Sequence, residues 1–306
     1  MNAISTVKPS QNLAIDVHGL TKSYGKVQAL RGINLEVKQG EIFGFLGPNG
    51  AGKTTTIRCL LDMIRPDGGK ASLLGFDPQA DPVTVQAHTG YLPGEMQFYD
   101  NLTAERQLRF FSDLRNGCSE WGYVRQLAER LDLDLKRPIK NLSKGNKQKI
   151  GVIQALMHRP ELLLLDEPTG GLDPLMQQEV LSLLREANVA GATVFFSSHI
   201  MSEVENVAGR VAIVRAGEIV EVADTESLTH RSLNRLTVRF KKAVEIAELG
   251  SLPGVEILSR TGQTGVTLQV VGDMEKLVQA IGRLPVLDLE TERPSLEEVF
   301  LTYYKK

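Results

Sequence analysis

The stretch "GPNGAGKTT", residues 47–55, decides the fold. It matches the spacing G-x-x-x-x-G-K-[ST], and its setting carries the weight. Just before it, "IFGFL" is a continuous apolar run of the kind that forms a strand buried on both faces. After it, Ile57, Leu60, Leu61 and Ile64 fall at i, i+3, i+4 and i+7, which predicts one helix face stopped by Pro66 and "DGG". A strand passing through a glycine-rich loop into a helix lets backbone N–H groups turn inward and approach phosphate oxygens closely. The helix N-terminus adds its positive dipole end. Lys53 would reach the β- and γ-phosphates, and the Thr54 hydroxyl would ligate Mg²⁺. Asn49, Gly50, Ala51, Gly52, Lys53, Thr54 and Thr55 form the predicted nucleotide-binding set.

A second run, "LLLLDEP", places Asp166 and Glu167 after four leucines. A buried strand of this kind delivers both carboxylates to its C-terminal end, where α/β sheets bind ligands. Asp166 is assigned to Mg²⁺, through water, and Glu167 to the attacking water as general base. A carboxylate pair ending a strand is common, so its meaning comes from the upstream loop.

Composition narrows the class. The chain has 306 residues, 42% apolar and 24% charged, ordinary values for a globular protein of about two domains. A net charge of −2 offers no global attraction for nucleic acid. Cys59 and Cys118 lack metal-ligand spacing and read as reduced thiols. The first dozen residues lack the apolar region of a secretory signal, and no apolar run approaches the ~20 residues of a membrane-spanning helix. Any membrane role is therefore expected through a partner.

Around the loop, "LAIDVHG" and "INLEV" alternate with period two and predict half-buried antiparallel strands. Residues from about 100 to 158 read as helical, with Thr103 and Ser119 as candidate N-caps. Strands resume at "ELLLLDE", "ATVFFSS" and "RVAIVRAGEIVEV", with "PLMQQEVLSLLREAN" as a helix between the first two. That alternation implies a parallel sheet with crossover helices. From residue 235 on, the order β-α-β-β-α-β matches a ferredoxin-like α+β unit with a "GQTG" hairpin turn, closed by a last helix at "SLEEVFLTYY".

Together these residues resemble the nucleotide-binding subunits of ATP-binding cassette (ABC) transporters over residues 13–223. The resemblance implies an α/β P-loop NTPase cassette. Its parts would be a RecA-like core, an antiparallel β subdomain and a helical subdomain at about 95–158, followed by a linker at 224–234 and the accessory domain at 235–306. It places Tyr24 against adenine, Asp173 of "PTGGLDP" in the D-loop, and His199 as the switch histidine at the γ-phosphate. "LSKGN", residues 142–146, stands where the family carries L-S-G-G-Q, the signature that caps ATP held by the opposite subunit of a head-to-tail dimer. Ser143 would supply a hydroxyl and Gly145 a close backbone approach, while Lys144 and Asn146 depart from the pattern. After "TGYLP" the family usually has a Mg²⁺-binding glutamine; here Gly94 and Glu95 follow, which predicts slow or partner-dependent hydrolysis.

The implied function is an ATPase subunit, with ATP and Mg²⁺ as cofactors, on the cytoplasmic face of the membrane. Its partners would be a second copy and transmembrane permease subunits, and "RPSLEEVFL" near the C-terminus resembles the extension on cassettes of ABC-2 type exporters. DNA-repair ATPases sharing these motifs carry a long coiled coil or zinc module between Lys53 and Ser143; only short helices without sustained heptads are read here. Ribosome-associated relatives join two cassettes in one chain. A P-loop kinase or GTPase leaves Ser143, Gly145, Asp173 and His199 unexplained.

Overall fold

The computed structural model describes residues 13–292 apart from 116, 118, 226, 228–233 and 271–273. Cys118, part of the expected linker and the expected closing helix lie outside the described residues. The chain divides into two compact units, 1–223 and 224–306.

In the first unit, β1 (Leu13–Tyr24) and β2 (Val27–Lys38) form an antiparallel pair, and β4 (Gly68–Leu73) lies on the other side of β1. The second sheet has six strands in the order β5-β6-β7-β3-β8-β9. These are β3 (Ile42–Leu46), β5 (Thr89–Leu92), β6 (Leu162–Asp166), β7 (Thr193–Ser198), β8 (Arg210–Arg215) and β9 (Glu218–Asp224). Every residue of β3 and β6 is buried, as continuous apolar runs demand of central parallel strands. Each fully buried leucine or phenylalanine there stabilises the fold by roughly 2 kcal/mol. Phe43 and Phe195 stack with centroids 6.0 Å apart, and Phe45 meets Phe195 at 5.2 Å. The turn from β8 to β9 uses Ala216 and Gly217, both at positive φ, the conformation that tight two-residue hairpins need.

α1 (Lys53–Leu60) ends a full turn before the apolar period predicts. Asp62 adopts φ 52°, the Asp62 N–H donates to the Cys59 carbonyl and that of Met63 to Arg58, a Schellman closure with aspartate in the left-handed position. Ile64 therefore packs against the core from outside the helix. α2 (Pro82–His88) leads into β5. In the helical lobe, α3 (Ala104–Leu114) is capped as expected, Thr103 Oγ1 accepting from the Arg106 N–H at 3.3 Å. α4 (Trp121–Arg130) corrects the expected serine cap. Glu120 holds the N-cap position without a side-chain bond, and the buried Ser119 hydroxyl has no partner among the described residues. α5 (Lys144–Leu156) is buried on most of its circumference beyond its first turn, more than the single face predicted. Arg130 ties α4 to α6 (Pro174–Val189) through Glu179 at 2.6 Å and Glu186. α7 (Met201–Val207) follows β7.

The second unit contains β10 (Asn234–Phe240), α8 (Ala247–Gly250), β11 (Val255–Thr261), β12 (Gly265–Val270), α9 (Glu275–Ile281) and β13 (Val286–Glu292). Its strands pair antiparallel in the order β11-β12-β10-β13. Leu236, Val238 and Phe240 alternate inward against Val266, Leu268 and Leu277. Among the described residues of the chain, no helix is long and apolar enough to cross a membrane.

Candidate active site

Strand register assembles the site. β3, β7 and β6 are parallel neighbours, with Leu46 paired to Ser198 and Asp166 to Ser197. The loop after β3, the carboxylates ending β6 and the residues ending β7 thus emerge along one edge. Binding at the carboxyl ends of parallel strands is the general habit of such sheets.

The Thr54 hydroxyl donates to Asp166 Oδ2 at 2.6 Å, and the Ser197 hydroxyl donates to Oδ1 at 2.6 Å. Asp166 is buried, and no lysine or arginine among the described residues pairs with it. A buried carboxylate met by hydroxyls and lacking a cation fits a hard divalent ion that takes oxygen ligands. Its charge, after burial, helps push the neighbouring Tyr91 hydroxyl pKa upward. Lys53, also buried, donates from Nζ to the carbonyls of Gly47 at 2.7 Å and Pro48 at 3.2 Å. The same ammonium lies 3.4 Å from Glu167 Oε1, which His199 Nδ1 approaches to 3.2 Å from the other strand end. Glu167 takes φ 51°, uncommon for a non-glycine residue; its N–H donates to the Ser197 carbonyl at 3.2 Å and hydroxyl at 3.1 Å. In the loop itself, Gly50 at φ 81° and Gly52 at φ 107° use the left-handed region, and Gly52 begins α1 with no side-chain cap. Asn49 and Gly50 are exposed at its tip, Thr55 is half-buried, and buried Ala51 accepts the Gly217 N–H through its carbonyl.

The other expected residues lie around this cluster. Ser143 is the N-cap of α5, its hydroxyl accepting from the Asn146 N–H at 3.2 Å. Gly145 packs so closely on the loop after Glu167 that a Cβ there would stand 2.8 Å from the Gly171 carbonyl oxygen. Asp173 caps α6, receiving the N–H groups of Leu175 and Met176. Tyr24 is exposed at the end of β1, with the Lys22 ammonium 5.8 Å from its ring centre. No hydrogen bond or ion pair joins Ser143 or Tyr24 to Lys53, Asp166 or Glu167 among the described residues. A Cβ on Gly94 would lie 2.8 Å from Asp166 Oδ2, so a side chain at this position requires the loop or the carboxylate to shift.

Three participants escaped the sequence reading. Ser197 holds both Asp166 and the Glu167 backbone. Glu203, buried in α7, accepts from the Thr169 and Ser198 hydroxyls. Gln148 donates from Nε2 to the carbonyls of Glu167 at 3.0 Å and Pro168 at 3.1 Å. The paired serines of "FFSSH" were a signal for the first; nothing local pointed to the others.

Residues 30–170 match the family described as ABC transporter. The chain is 37% identical over 238 residues to the bacitracin transport ATP-binding protein of Bacillus licheniformis, covering 75% of this chain and 76% of that one. The chain belongs to the ABC transporter family. It is 30% identical over 303 residues to the linearmycin resistance ATP-binding protein of Bacillus subtilis, with 94% and 97% covered. A solved ATP-binding subunit of an ABC transporter superimposes with a TM-score of 0.64 at 30% identity, over 70% of this chain and 91% of that one. The protein is thus an ATP-binding, ATP-hydrolysing cassette subunit.

Proposed function

We propose that this cassette powers an ABC-2 type exporter by closing head-to-tail with a second copy around two ATP molecules. The observation that carries the reading is the convergence of Lys53 and His199 on one oxygen of Glu167, beside the Thr54–Asp166 pair. In this reading the uncapped start of α1 and Lys53 bind the β- and γ-phosphates, and Tyr24 stacks on adenine. Thr54 and Asp166 would hold Mg²⁺, which neutralises phosphate charge when bound. Glu167 accepts a proton from the attacking water, and His199 faces the γ-phosphate. Ser143 and Gly145 of one copy cap the ATP of the other, with Asp173 at the neighbouring D-loop. Glu167→Gln should therefore retain ATP and trap a dimer that sizing detects only with nucleotide. A variant that binds ATP and stays monomeric would contradict this reading.

The partners would be transmembrane permease subunits on the cytoplasmic face of the membrane, with a drug, lipid or polysaccharide chosen by the permease. Supporting this, a groove of about 230 Å³ runs past Leu61, Met63, Tyr91, Phe111 and Arg115, with exposed Tyr99 and Leu114 on the same helical lobe. Permease crosslinks are expected at residues 91–115; crosslinks confined to the second unit would move the contact there. That unit we read as a ferredoxin-like accessory domain.

A further inference from the structure

We infer that Gln148 is a positioning residue that couples the two nucleotide sites of the closed pair, an inference resting on the head-to-tail reading above. The residue lies in the second turn of α5, three positions after Gly145, so the two share one helix face. That face meets the segment following the catalytic glutamate at two points. Gln148 Nε2 donates to the carbonyls of Glu167 and Pro168, at 3.0 and 3.1 Å, from a side chain only 5% exposed. One turn earlier, a Cβ on Gly145 would stand 2.8 Å from the Gly171 carbonyl oxygen, and one on Gly171 would meet the aliphatic stem of Lys144 at 3.7–3.9 Å, so the start of α5 packs closely on this segment.

Both ends of this contact have work to do, on different nucleotides. The start of α5 caps the ATP bound by the partner copy, whereas Glu167 attends to the ATP bound by its own phosphate loop. Glu167 sits at φ 51°, where its neighbours must hold it in place. One side of its peptide is fixed by Ser197 and the other by Gln148. A shift of α5 on capping the partner's γ-phosphate therefore reaches Glu167 through a buried amide, and sub-ångström displacements of a general base alter rates strongly. Each site thus becomes competent when the other is filled.

Gln148→Met keeps the side-chain volume and removes the two donors, so it tests the link with little loss of packing; Gln148→Ala serves as a second variant, with thermal unfolding as the folding control. In full-length protein, the Hill coefficient for ATP hydrolysis should fall from near the two-site limit of about 2 to about 1, with a roughly tenfold loss of kcat. In the Glu167→Gln background, ATP should still trap the dimer with or without Gln148. A lower kcat with an unchanged Hill coefficient would overturn the coupling, as would a wild-type coefficient already near 1 in a chain that dimerises. Loss of the trapped dimer on adding Gln148→Met would instead make the residue part of the cap and also overturn it. If Glu167→Gln alone never dimerises, the head-to-tail reading falls first and takes the inference with it.

Discussion

Two helix starts in this molecule solve the same problem in opposite ways. α1 begins at Gly52, φ 107°, with no side-chain cap, although its first amide donors stand beside buried Lys53. α5 begins at Ser143, whose hydroxyl takes the Asn146 N–H as a conventional N-cap does. An eight-residue helix is too short to persist by itself, so α1 relies on Ile57 and Leu60 in the core rather than on capping. The difference teaches what phosphate binding asks of a backbone. Amide groups meant for an external anion cannot be consumed by a neighbouring side chain, and glycine supplies the turn that leaves them open.

The comparison breaks most visibly at Gly52. A Cβ there would meet the Ala29 carbonyl at 2.8 Å and Leu30 at 3.0 Å, in a conformation L-residues avoid. Gly52→Val should misplace several charge-assisted amide bonds, each contributing ~1.5–3 kcal/mol. ATP affinity should fall by at least ~100-fold by calorimetry. Affinity within tenfold of wild type would mean that the left-handed turn is not what opens the loop.

At the far end of α5 the contrast can be sharpened by pH. His158 donates from Nε2 to the Thr89 carbonyl at 3.3 Å, and Nδ1 is buried without a partner among the described residues. Burial first, and the positive charge of Arg115 second, lower its pKa to about 4, against the weaker opposing pull of the Thr89 carbonyl. The folded state thus favours the neutral ring while the unfolded chain protonates near 6.5. Stability is unaffected above that value and lost as pH falls from about 6.5 towards 4. The expected loss is about 2 kcal/mol between pH 6.5 and 5, less to the extent that water screens the ring. His158→Gln should flatten this part of the denaturation profile; an unchanged slope would assign it to carboxylates elsewhere.

α1 can also be disturbed without touching it. Thr54, its second residue, shares Asp166 Oδ2 with the space that a side chain at position 94 would enter. Gly94→Ala should weaken Mn²⁺ binding to the ATP complex by about tenfold, read by electron paramagnetic resonance, at a cost near 1.4 kcal/mol. Metal-free ATP binding should not change. Gly94→Gln, which installs the family's usual residue, meets the same obstruction and should weaken metal binding too. A gain from glutamine would show that the loop moves aside.

What the sequence made legible follows the range of the interactions. The phosphate loop and the Asp166–Glu167 pair are short runs whose expected chemistry is local, and the structure brings them to one strand edge; His199, which joins them there, was marked only by the family resemblance. Buried strands at 42–46 and 162–166 were readable because their residues are uniformly apolar. The Ser197–Glu167, Gln148–Glu167 and Glu203–Thr169 contacts depend on register between segments 19 to 34 residues apart, which no local pattern encodes. The early end of α1 was missed because Ile64 keeps the helical period while Asp62 leaves the helix. Ser119 failed as a cap for a related reason: the residue type suits the position, but the chain enters α4 one residue later.

The smallest test returns to Ser143. Ser143→Ala removes one cap bond, worth about 1 kcal/mol in folding, whereas Ser143→Gly should cost only a few tenths because glycine leaves the cap amides open to water. The stability of the two variants should therefore separate, with alanine the worse, as measured by urea denaturation. The ATP-trapped dimer makes the opposite demand. If the Ser143 hydroxyl leaves Asn146 to meet the partner's phosphate, both variants lose it equally and should weaken the Glu167→Gln dimer to the same degree. Equal stability with unequal dimerisation would mean that the serine serves its own helix in neither state, and that α5, like α1, opens its first turn to an anion before one arrives.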